Sequence, residues 1–270
     1  MAEAAAPACT DIVVSKHDQW LEIEIARPDK FNALREQTAA EIMDVMARAE
    51  EDDSVTSVIL TGSPKAFCSG IDTSEFEVAE GRYFEFYRKR KRSKRFARLF
   101  RELPLYTKPV ICAVEGVALG GGLELALMAD IIVAGRNAKF GFPETGIGIM
   151  PGAGGPQTLP RLVGKAIAKE LIWTGRRVTA DEALALRMVN HVVDAGAALE
   201  RAREMARAIG RNAPLAVMQS KAAIERGHDL TLADGMALES DAAFLLYFTE
   251  DRREGLNAFR EKRSAHFRGA

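Results

Sequence analysis

The sequence predicts a mixed α/β domain with a mostly parallel sheet, followed by a helical region. Apolar segments at residues 110–114 and 130–134 flank a helical pattern that starts near Gly120. Segments that are apolar on both faces are typical of buried parallel strands, and a strand-helix-strand order implies a right-handed crossover. Beyond Gly164 the strand signal almost vanishes and helical patterns predominate.

The other elements follow from the same periodicities. Residues 20–25 alternate apolar and charged side chains, as a half-buried strand does, and Arg27-Pro28-Asp29 ends that strand. Residues 37–50 have apolar side chains at helical spacing, and residues 54–60 form a short strand rich in β-branched side chains. In the second half of the chain we predict helices at residues 165–174, 179–186, 197–210, 214–227 and 232–248.

Length and composition are those of an ordinary globular protein. A chain of 270 residues suits one large core with a helical appendage, and we place the core at residues 1–193 and the C-terminal helical region at 194–270. Lys+Arg 37 against Asp+Glu 38 gives a net charge of -1, so the whole molecule is not attracted to nucleic acid or to an anionic membrane. No apolar run approaches the roughly 20 residues of a membrane span.

The cysteine content favours a reducing compartment. The three cysteines, Cys9, Cys68 and Cys112, lack metal-ligand spacing, and their odd number is typical of free thiols. We therefore expect a cytoplasmic location. Cys68 is expected to be a packing residue, and because none of the four histidines falls in the motifs described below, no histidine is assigned to catalysis.

Three consecutive glycines, Gly120, Gly121 and Gly122, stand at the start of an apolar helical pattern that carries Glu124. Glycine has no Cβ, so backbone N–H groups there can contact a ligand, and the first turn of a helix favours negative charge. Alone, this pattern suits a phosphate as well as a carbonyl oxygen. A second turn of small residues follows a strand at residues 67–72, and we predict that the N–H groups of Ser69 and Gly121 form an oxyanion hole.

Five motifs, in this order, resemble the enoyl-CoA hydratase/isomerase (crotonase) superfamily. They are Arg27-Pro28 with Asn32-Ala33-Leu34, residues 67–72, residues 120–124, Pro143-Glu144, and residues 151–155. The resemblance runs nearly end to end. It implies a spiral core of repeated β-β-α turns and a C-terminal helical region that forms homotrimers, often paired as a dimer of trimers.

The resemblance also implies the site and its reaction. Ser69 and Gly121 would polarise the carbonyl of an acyl-CoA through their N–H groups. Glu124 would help to activate a water held by both glutamates, and Glu144 would give a proton to C2, which hydrates a 2-enoyl-CoA to a 3-hydroxyacyl-CoA of fatty acid metabolism. The residues implied in CoA binding are Ala33, Ser69, Gly70, Ile71, Asp72, Gly121 and Lys262, the last near the CoA phosphates and in some relatives supplied by a neighbouring subunit.

The predicted activity is thus that of an enoyl-CoA hydratase without a metal or redox cofactor, in which coenzyme A is part of the substrate. An isomerase, or another acyl-CoA lyase of the superfamily, stays open because it would use the same stabilised enolate. A protein that keeps the fold and binds RNA is the alternative from another functional class.

The RNA alternative depends on residues 82–101, which are densely cationic and aromatic. They form either a surface helix whose Phe96, Leu99 and Phe100 pack inward, or a segment whose cations attract CoA phosphates and whose aromatic rings line the acyl end. In the third interpretation the cations contact RNA phosphates and the rings stack on bases. Because the net charge gives no general support to RNA binding, we expect no nucleic-acid partner.

Overall fold

Two sheets organise the part of the chain that the computed structural model describes, which is residues 9–76, 82, 84, 85, 88 and 95–270. The strands are β1 (Ile12–Lys16), β2 (Trp20–Ile25), β3 (Ser57–Thr61), β4 (Ala66–Cys68), β5 (Val110–Val114), β6 (Val117–Leu119), β7 (Ile131–Gly135), β8 (Lys139–Gly141), β9 (Val178–Thr179) and β10 (His191–Val193). The helices are α1 (Glu36–Glu50), α2 (Arg95–Glu102), α3 (Gly121–Leu127), α4 (Gly155–Val163), α5 (Lys165–Thr174), α6 (Ala180–Ala185), α7 (Ala198–Gly210), α8 (Pro214–Gly227), α9 (Leu232–Leu246) and α10 (Glu250–Glu261).

The larger sheet has the order β1-β2-β3-β5-β7-β10, and the smaller sheet has the order β4-β6-β8-β9. All neighbouring strands are parallel except β1 with β2 and β8 with β9, which are antiparallel. The consecutive pairs β3–β4, β5–β6 and β7–β8 each place one strand in each sheet, and each pair is followed by a helix. The predicted α/β class with repeated β-β-α turns is confirmed.

The sequence predicts the bounds of four elements correctly. Strands β2 and β5 and helices α5 and α8 have the predicted bounds, and every residue of β5 is buried. The strand expected from residue 54 starts at Ser57 instead, because Ser54 donates from its N–H and its hydroxyl to the carboxylate of Asp52 and forms a turn. The short strands β9 and β10 lie beyond Gly164, where the sequence shows almost no strand signal.

Helix α7 packs on the larger sheet through a face of small residues. Ala198, Ala202 and Ala206 are fully buried and recur every four residues, and they form a core cluster with residues of the central strands such as Ile59 and Ile111. Helix α7 therefore belongs to the packing of the sheet, although the prediction places it in the region 194–270. The division of the chain at residue 193 stays a prediction.

The last three helices leave much apolar surface uncovered. Helices α8 and α9 contain no buried residue, and Leu232, Phe244, Phe248 and Phe259 are all more than half exposed. Single exposed apolar residues are normal, but a contiguous exposed set is typical of an interaction surface. Within the described ranges, no helix combines the length and the apolar character needed to cross a membrane.

Only part of the basic segment 82–101 can be compared with the prediction. Within α2, Leu99 and Phe100 are buried and Phe96 packs against the core, so the inward-facing apolar stripe is confirmed for this helix. Most of the cationic run, including residues 89–94, lies outside the described residues.

Candidate active site

A cavity of about 720 Å³ lies where three parallel strands of the smaller sheet end. Its walls come from the residues that follow β4, β6 and β8, at the carboxyl ends of these strands, which is the usual place for a ligand in a parallel sheet. The lining residues are Ser69, Gly70, Ile71, Thr73, Gly120, Gly121, Glu124, Pro143, Glu144, Ile147, Ile149, Met150 and Gly152. Four of the residues that the resemblance implies in CoA binding, Ser69, Gly70, Ile71 and Gly121, therefore line one cavity together with both predicted glutamates.

The three glycines are needed for close approach of the backbone. Gly120 has φ 51°, which favours glycine, and a Cβ on Gly121 would lie 2.8 Å from Cγ1 of Ile71. A Cβ on Gly122 would overlap the backbone carbonyl of Cys68. The start of α3 thus packs directly on the turn that follows β4.

Two backbone N–H groups at this contact have no acceptor among the described residues. They belong to Ile71 and Gly121, and both residues line the cavity. Leu34 pairs with the other side of the Ile71 segment, since its N–H donates to Gly70 and its carbonyl accepts from the N–H of Asp72. A Cβ on Gly121 would lie 3.4 Å from the Ile71 nitrogen, so the two donors are neighbours. Two neighbouring N–H groups without an acceptor can bind an oxygen that carries negative charge.

The donor predicted at Ser69 is corrected by this geometry. The Ser69 N–H donates to the carbonyl oxygen of Phe31 at 3.0 Å, and its hydroxyl donates to the carbonyl oxygen of Lys30 at 3.3 Å. Gly70, with φ 120°, turns the chain between Ser69 and Ile71, so the two N–H groups have different surroundings. Ser69 lines the cavity, but the unpaired N–H group belongs to Ile71.

Glu124 lies one helical turn inside α3 and is 1% exposed. Its Oε1 accepts hydrogen bonds of 2.8 Å from the N–H groups of Ala153 and Gly155. Burial raises the pKa of this carboxyl, and the backbone hydrogen bonds offset part of that effect. The glycine-rich loop before α4 therefore holds the carboxylate in place.

Glu144 begins the turn after β8 and lies against Gly120, where a Cβ would be 2.7 Å from its Oε1. Its Oε2 is buried and has no hydrogen-bond partner in the part of the chain that is described. Burial, together with the negative charge of Glu124, raises the pKa of Glu144 to about 7. This carboxyl is therefore suited to exchange a proton near neutral pH.

Some residues predicted to bind CoA do not line the cavity. The Asp72 carboxylate accepts hydrogen bonds from Ser74 and, at 2.9 Å, from Nη2 of Arg27, and these bonds lower its pKa. The same Arg27 side chain donates to the carbonyl oxygen of Ala33. Lys262 is exposed at the C-terminal end of α10. CoA binding by Ala33, Asp72 and Lys262 stays a prediction.

Sequence reasoning missed much of the cavity wall. The missed residues are Thr73, Ile147, Ile149 and Met150, whereas Gly120, Pro143 and Gly152 belong to the predicted motifs without an assigned role. One feature of the sequence could have indicated this wall, namely the apolar residues between Ile147 and Met150 in a glycine-rich loop. Exposed apolar residues in such a loop indicate contact with a ligand or a partner.

Cys68 is a free and buried thiol. Burial raises the pKa of Cys68 to about 12, so its thiol stays protonated and packs as an apolar side chain, as predicted. Among the residues that the structure describes, no group of three or more His, Cys, Asp or Glu side chains is placed to hold a metal ion.

The chain resembles known proteins along almost its whole length. Residues 16–270 match the sequence model of the enoyl-CoA hydratase/isomerase family. The chain belongs to this family. A family member from Clostridium acetobutylicum, named short-chain-enoyl-CoA hydratase, is 42% identical, and the alignment covers 94% of this chain and 95% of that protein.

Two further relatives show the same full-length similarity. The Escherichia coli protein named 2,3-dehydroadipyl-CoA hydratase is 36% identical, with 96% of this chain and 99% of that protein covered. The crystal structure of an enoyl-CoA hydratase from Bacillus anthracis has a TM-score of 0.90 and 36% identity, and the match covers 97% of this chain and 100% of that chain. The crotonase-type fold expected from the motifs is confirmed.

Proposed function

We propose that this protein is an enoyl-CoA hydratase, which adds water across the C2=C3 bond of a 2-enoyl-CoA to give a 3-hydroxyacyl-CoA. One observation carries the proposal: the buried carboxyl of Glu124 and the half-buried carboxyl of Glu144 line the same cavity as the two unpaired N–H groups. A carbonyl held by the N–H groups would place its neighbouring double bond within the cavity that both carboxyls line. The relatives named as hydratases support the same activity.

The N–H groups of Ile71 and Gly121 bind the thioester oxygen and stabilise the negative charge that develops on it when water adds to C3. Donors that are already oriented cost no reorganisation during the reaction, and this type of stabilisation is often the largest single catalytic contribution. Gly120 and Gly122 contribute indirectly, because their missing side chains allow α3 to lie against the Ile71 turn.

The two carboxyls move the protons. Glu124, ionised, accepts a proton from the water whose oxygen bonds to C3, and Glu144, protonated, gives its proton to C2. The pair holds one proton before and after the step, so water is added without net uptake or release of a proton. Because N–H groups hold the charge and carboxyls move the protons, this chemistry requires no metal or redox cofactor, and coenzyme A is part of the substrate.

The test is hydration of crotonyl-CoA by the purified protein. We expect the absorbance of the conjugated thioester to fall, and mass spectrometry to show a product heavier by one water. A 3-enoyl-CoA serves as the comparison substrate. If the protein shifts its double bond but does not hydrate crotonyl-CoA, it is an isomerase and the proposal is wrong.

The pKa of Glu144 predicts how the activity depends on pH. A carboxyl whose pKa is raised to about 7 is protonated below that pH, so kcat/KM for hydration is expected to fall as pH rises through about 7. At low pH the pair of carboxyls gains a second proton. Glu124 is then no longer ionised and cannot accept a proton from water, so kcat/KM is expected to fall there as well.

The check is kcat/KM for crotonyl-CoA between pH 5 and pH 9, with thermal unfolding followed over the same range. Hydration and the reverse dehydration both need the pair with one proton, so both directions are expected to give the same profile. A flat profile above pH 7 in a folded protein contradicts the assigned proton donor.

We also propose a cytoplasmic homotrimer, alone or paired as a dimer of trimers. The free thiols of Cys9, Cys68 and Cys112 are typical of a reducing compartment. The exposed apolar side chains of helices α8–α10 supply a surface for association of identical chains, because burying them removes apolar area from water.

The oligomer proposal predicts that charges in this surface dissociate the protein. The double variant Phe244→Glu and Phe248→Glu replaces side chains that are 61% and 72% exposed, and it is expected to shift the mass from trimer or hexamer to monomer. Light scattering after size-exclusion chromatography measures this mass. Val13→Glu, at an exposed position on β1, is the matched control and is expected to stay oligomeric. A monomeric wild-type protein contradicts the proposal.

A further inference from the structure

The side chain of Arg27 lies beside the turn that carries the unpaired N–H of Ile71, yet the proposed chemistry does not use it. Arg27 follows β2, and its side chain is 13% exposed. Its Nη2 donates to the Asp72 carboxylate at 2.9 Å, and its Nη1 donates to the carbonyl oxygen of Ala33. One planar guanidinium therefore joins two segments that are far apart in sequence.

The peptide unit between Ala33 and Leu34 transmits this contact to the turn. A trans peptide is planar, so its carbonyl and its N–H point in opposite directions. Nη1 of Arg27 binds the carbonyl of this unit. The N–H on the other side of the unit belongs to Leu34, and it donates to the carbonyl oxygen of Gly70 at 2.8 Å. The guanidinium thus fixes the direction in which Leu34 donates to Gly70.

The next peptide unit, between Gly70 and Ile71, carries the contact to the cavity. Its carbonyl accepts the hydrogen bond from Leu34, so its N–H, which belongs to Ile71, points to the opposite side. This N–H is one of the two donors that have no acceptor among the described residues. The N–H of Asp72 donates back to the Leu34 carbonyl at 2.7 Å, so the turn is held on both sides of Ile71.

The Arg27 guanidinium is itself held in place by a buried carboxylate. Its Nε lies 3.8 Å from Oδ2 of Asp11, whose side chain is 2% exposed. Asp11 also accepts hydrogen bonds from Arg35 and from the hydroxyl of Thr38 in the first turn of α1. Arg27 therefore lies between two acidic side chains and keeps one orientation.

We propose that Arg27 is a positioning residue for hydration, which holds the Ile71 N–H in the direction that polarises the thioester carbonyl. This inference rests on the proposed hydratase function. Arg27 is not among the residues that line the cavity, so it acts through the two peptide units. Stabilisation by an N–H group depends on its direction, and a misplacement of about 1 Å can lower a rate by on the order of 10²-fold.

The first experiment measures hydration of crotonyl-CoA by Arg27→Met, which keeps an unbranched side chain but has no N–H donor. We expect kcat to fall by about 10- to 100-fold, with a smaller change in KM. The Asp72 carboxylate keeps its hydrogen bonds from Ser74. Asp11 keeps those from Arg35. Neither carboxylate loses its last partner, so the variant is expected to fold, which thermal unfolding checks.

The second experiment measures polarisation of the carbonyl directly, by isotope-edited infrared difference spectroscopy of bound butyryl-CoA. Butyryl-CoA has no C2=C3 bond, so it cannot be hydrated during the measurement. Hydrogen bonds to the thioester oxygen lower the stretching frequency of its carbonyl. We expect the wild-type protein to lower this frequency, and Arg27→Met, saturated with the same ligand, to lose most of the shift. A loss of stability alone would leave the frequency in the folded protein unchanged.

Two further variants serve as comparisons. Arg203→Met removes another partly buried arginine, which donates to the Glu22 carboxylate at 2.7 and 2.9 Å outside the cavity lining. It is expected to keep the wild-type kcat and carbonyl frequency. Arg27→Lys keeps the charge, but one ammonium group cannot replace the planar fork that joins Asp72 with Ala33. It is expected to keep only part of the shift, and it replaces Arg27→Met if that variant does not fold.

The outcomes separate this inference from the proposed function. If the wild-type protein hydrates crotonyl-CoA but folded Arg27→Met keeps the wild-type carbonyl frequency, the positioning role is overturned and the hydratase function stands. If Arg27→Lys matches the wild type in kcat and in frequency, the charge alone is sufficient and the role of the fork is overturned. If the wild-type protein hydrates no enoyl-CoA, the function itself is wrong.

Discussion

Glu144→Gln is expected to lower kcat for hydration of crotonyl-CoA by about 10²- to 10⁴-fold, with little change in KM. Glutamine has nearly the same shape but cannot give a proton to C2, whereas the N–H groups of Ile71 and Gly121 that bind the thioester are unaffected. Glu124→Gln is expected to have an effect of similar size, because it removes the base that activates water.

The measurement is steady-state hydration at pH 7, together with thermal unfolding of each variant. Glu115→Gln is a matched control, because Glu115 also has a buried Oε2 without a partner among the described residues. Its Oε1 accepts hydrogen bonds from Gly196 and Ala198 at the start of α7, away from the lining of the catalytic cavity. We expect its kcat to match the wild type. Wild-type rates in both Glu124→Gln and Glu144→Gln would falsify the catalytic assignment.

Gly122→Ala is expected to damage both stability and activity. Its new Cβ would overlap the buried carbonyl oxygen of Cys68, and both groups belong to backbone segments that cannot rotate away. We expect the free energy of unfolding to fall by about 3 kcal/mol. Separation of the two segments would also shift the Ile71 N–H relative to Gly121, so kcat is expected to fall in the protein that still folds.

Urea denaturation and the crotonyl-CoA assay measure the two effects. Gly146→Ala is the matched control, since a Cβ there would meet nothing within 4 Å and the backbone has no positive φ. It is expected to match the wild type in both measurements. A Gly122→Ala variant of normal stability and activity would show that the backbone at Cys68 leaves room for a Cβ at position 122.

The two carboxyls that line the cavity could be predicted from the sequence because their motifs are local. Glu124 follows the three glycines within one helical turn, and Glu144 follows Pro143 at the end of a strand. The second donor could not be predicted in the same way. Whether Ser69 or Ile71 has the unpaired N–H depends on φ 120° at Gly70 and on pairing with Leu34, which is distant in sequence.

Periodicity predicted several strands and helices but not helices α4 and α10. Helix α4 starts at glycine and contains Pro160, and α10 is strongly charged, so neither shows a clear apolar pattern. The apolar wall of the cavity formed by Ile147, Ile149 and Met150 was also not predicted, because its place beside the residues that follow β4 and β6 depends on the packing of separate segments. These contacts exist only after the two sheets have formed.

The positions of the two unpaired N–H groups and of Glu144 follow from the spacing of strands in the smaller sheet. Ile71, Gly121 and Glu144 follow β4, β6 and β8, which are consecutive neighbours in that sheet. Adjacent strands lie about 4.8 Å apart, so the donor after β4 and the carboxyl after β8 are separated by two fixed intervals. A slip of β8 by one residue would displace Glu144 by about 3.3 Å, more than a hydrogen bond tolerates. The strand register therefore fixes the distance between the unpaired N–H groups and the carboxyl of Glu144.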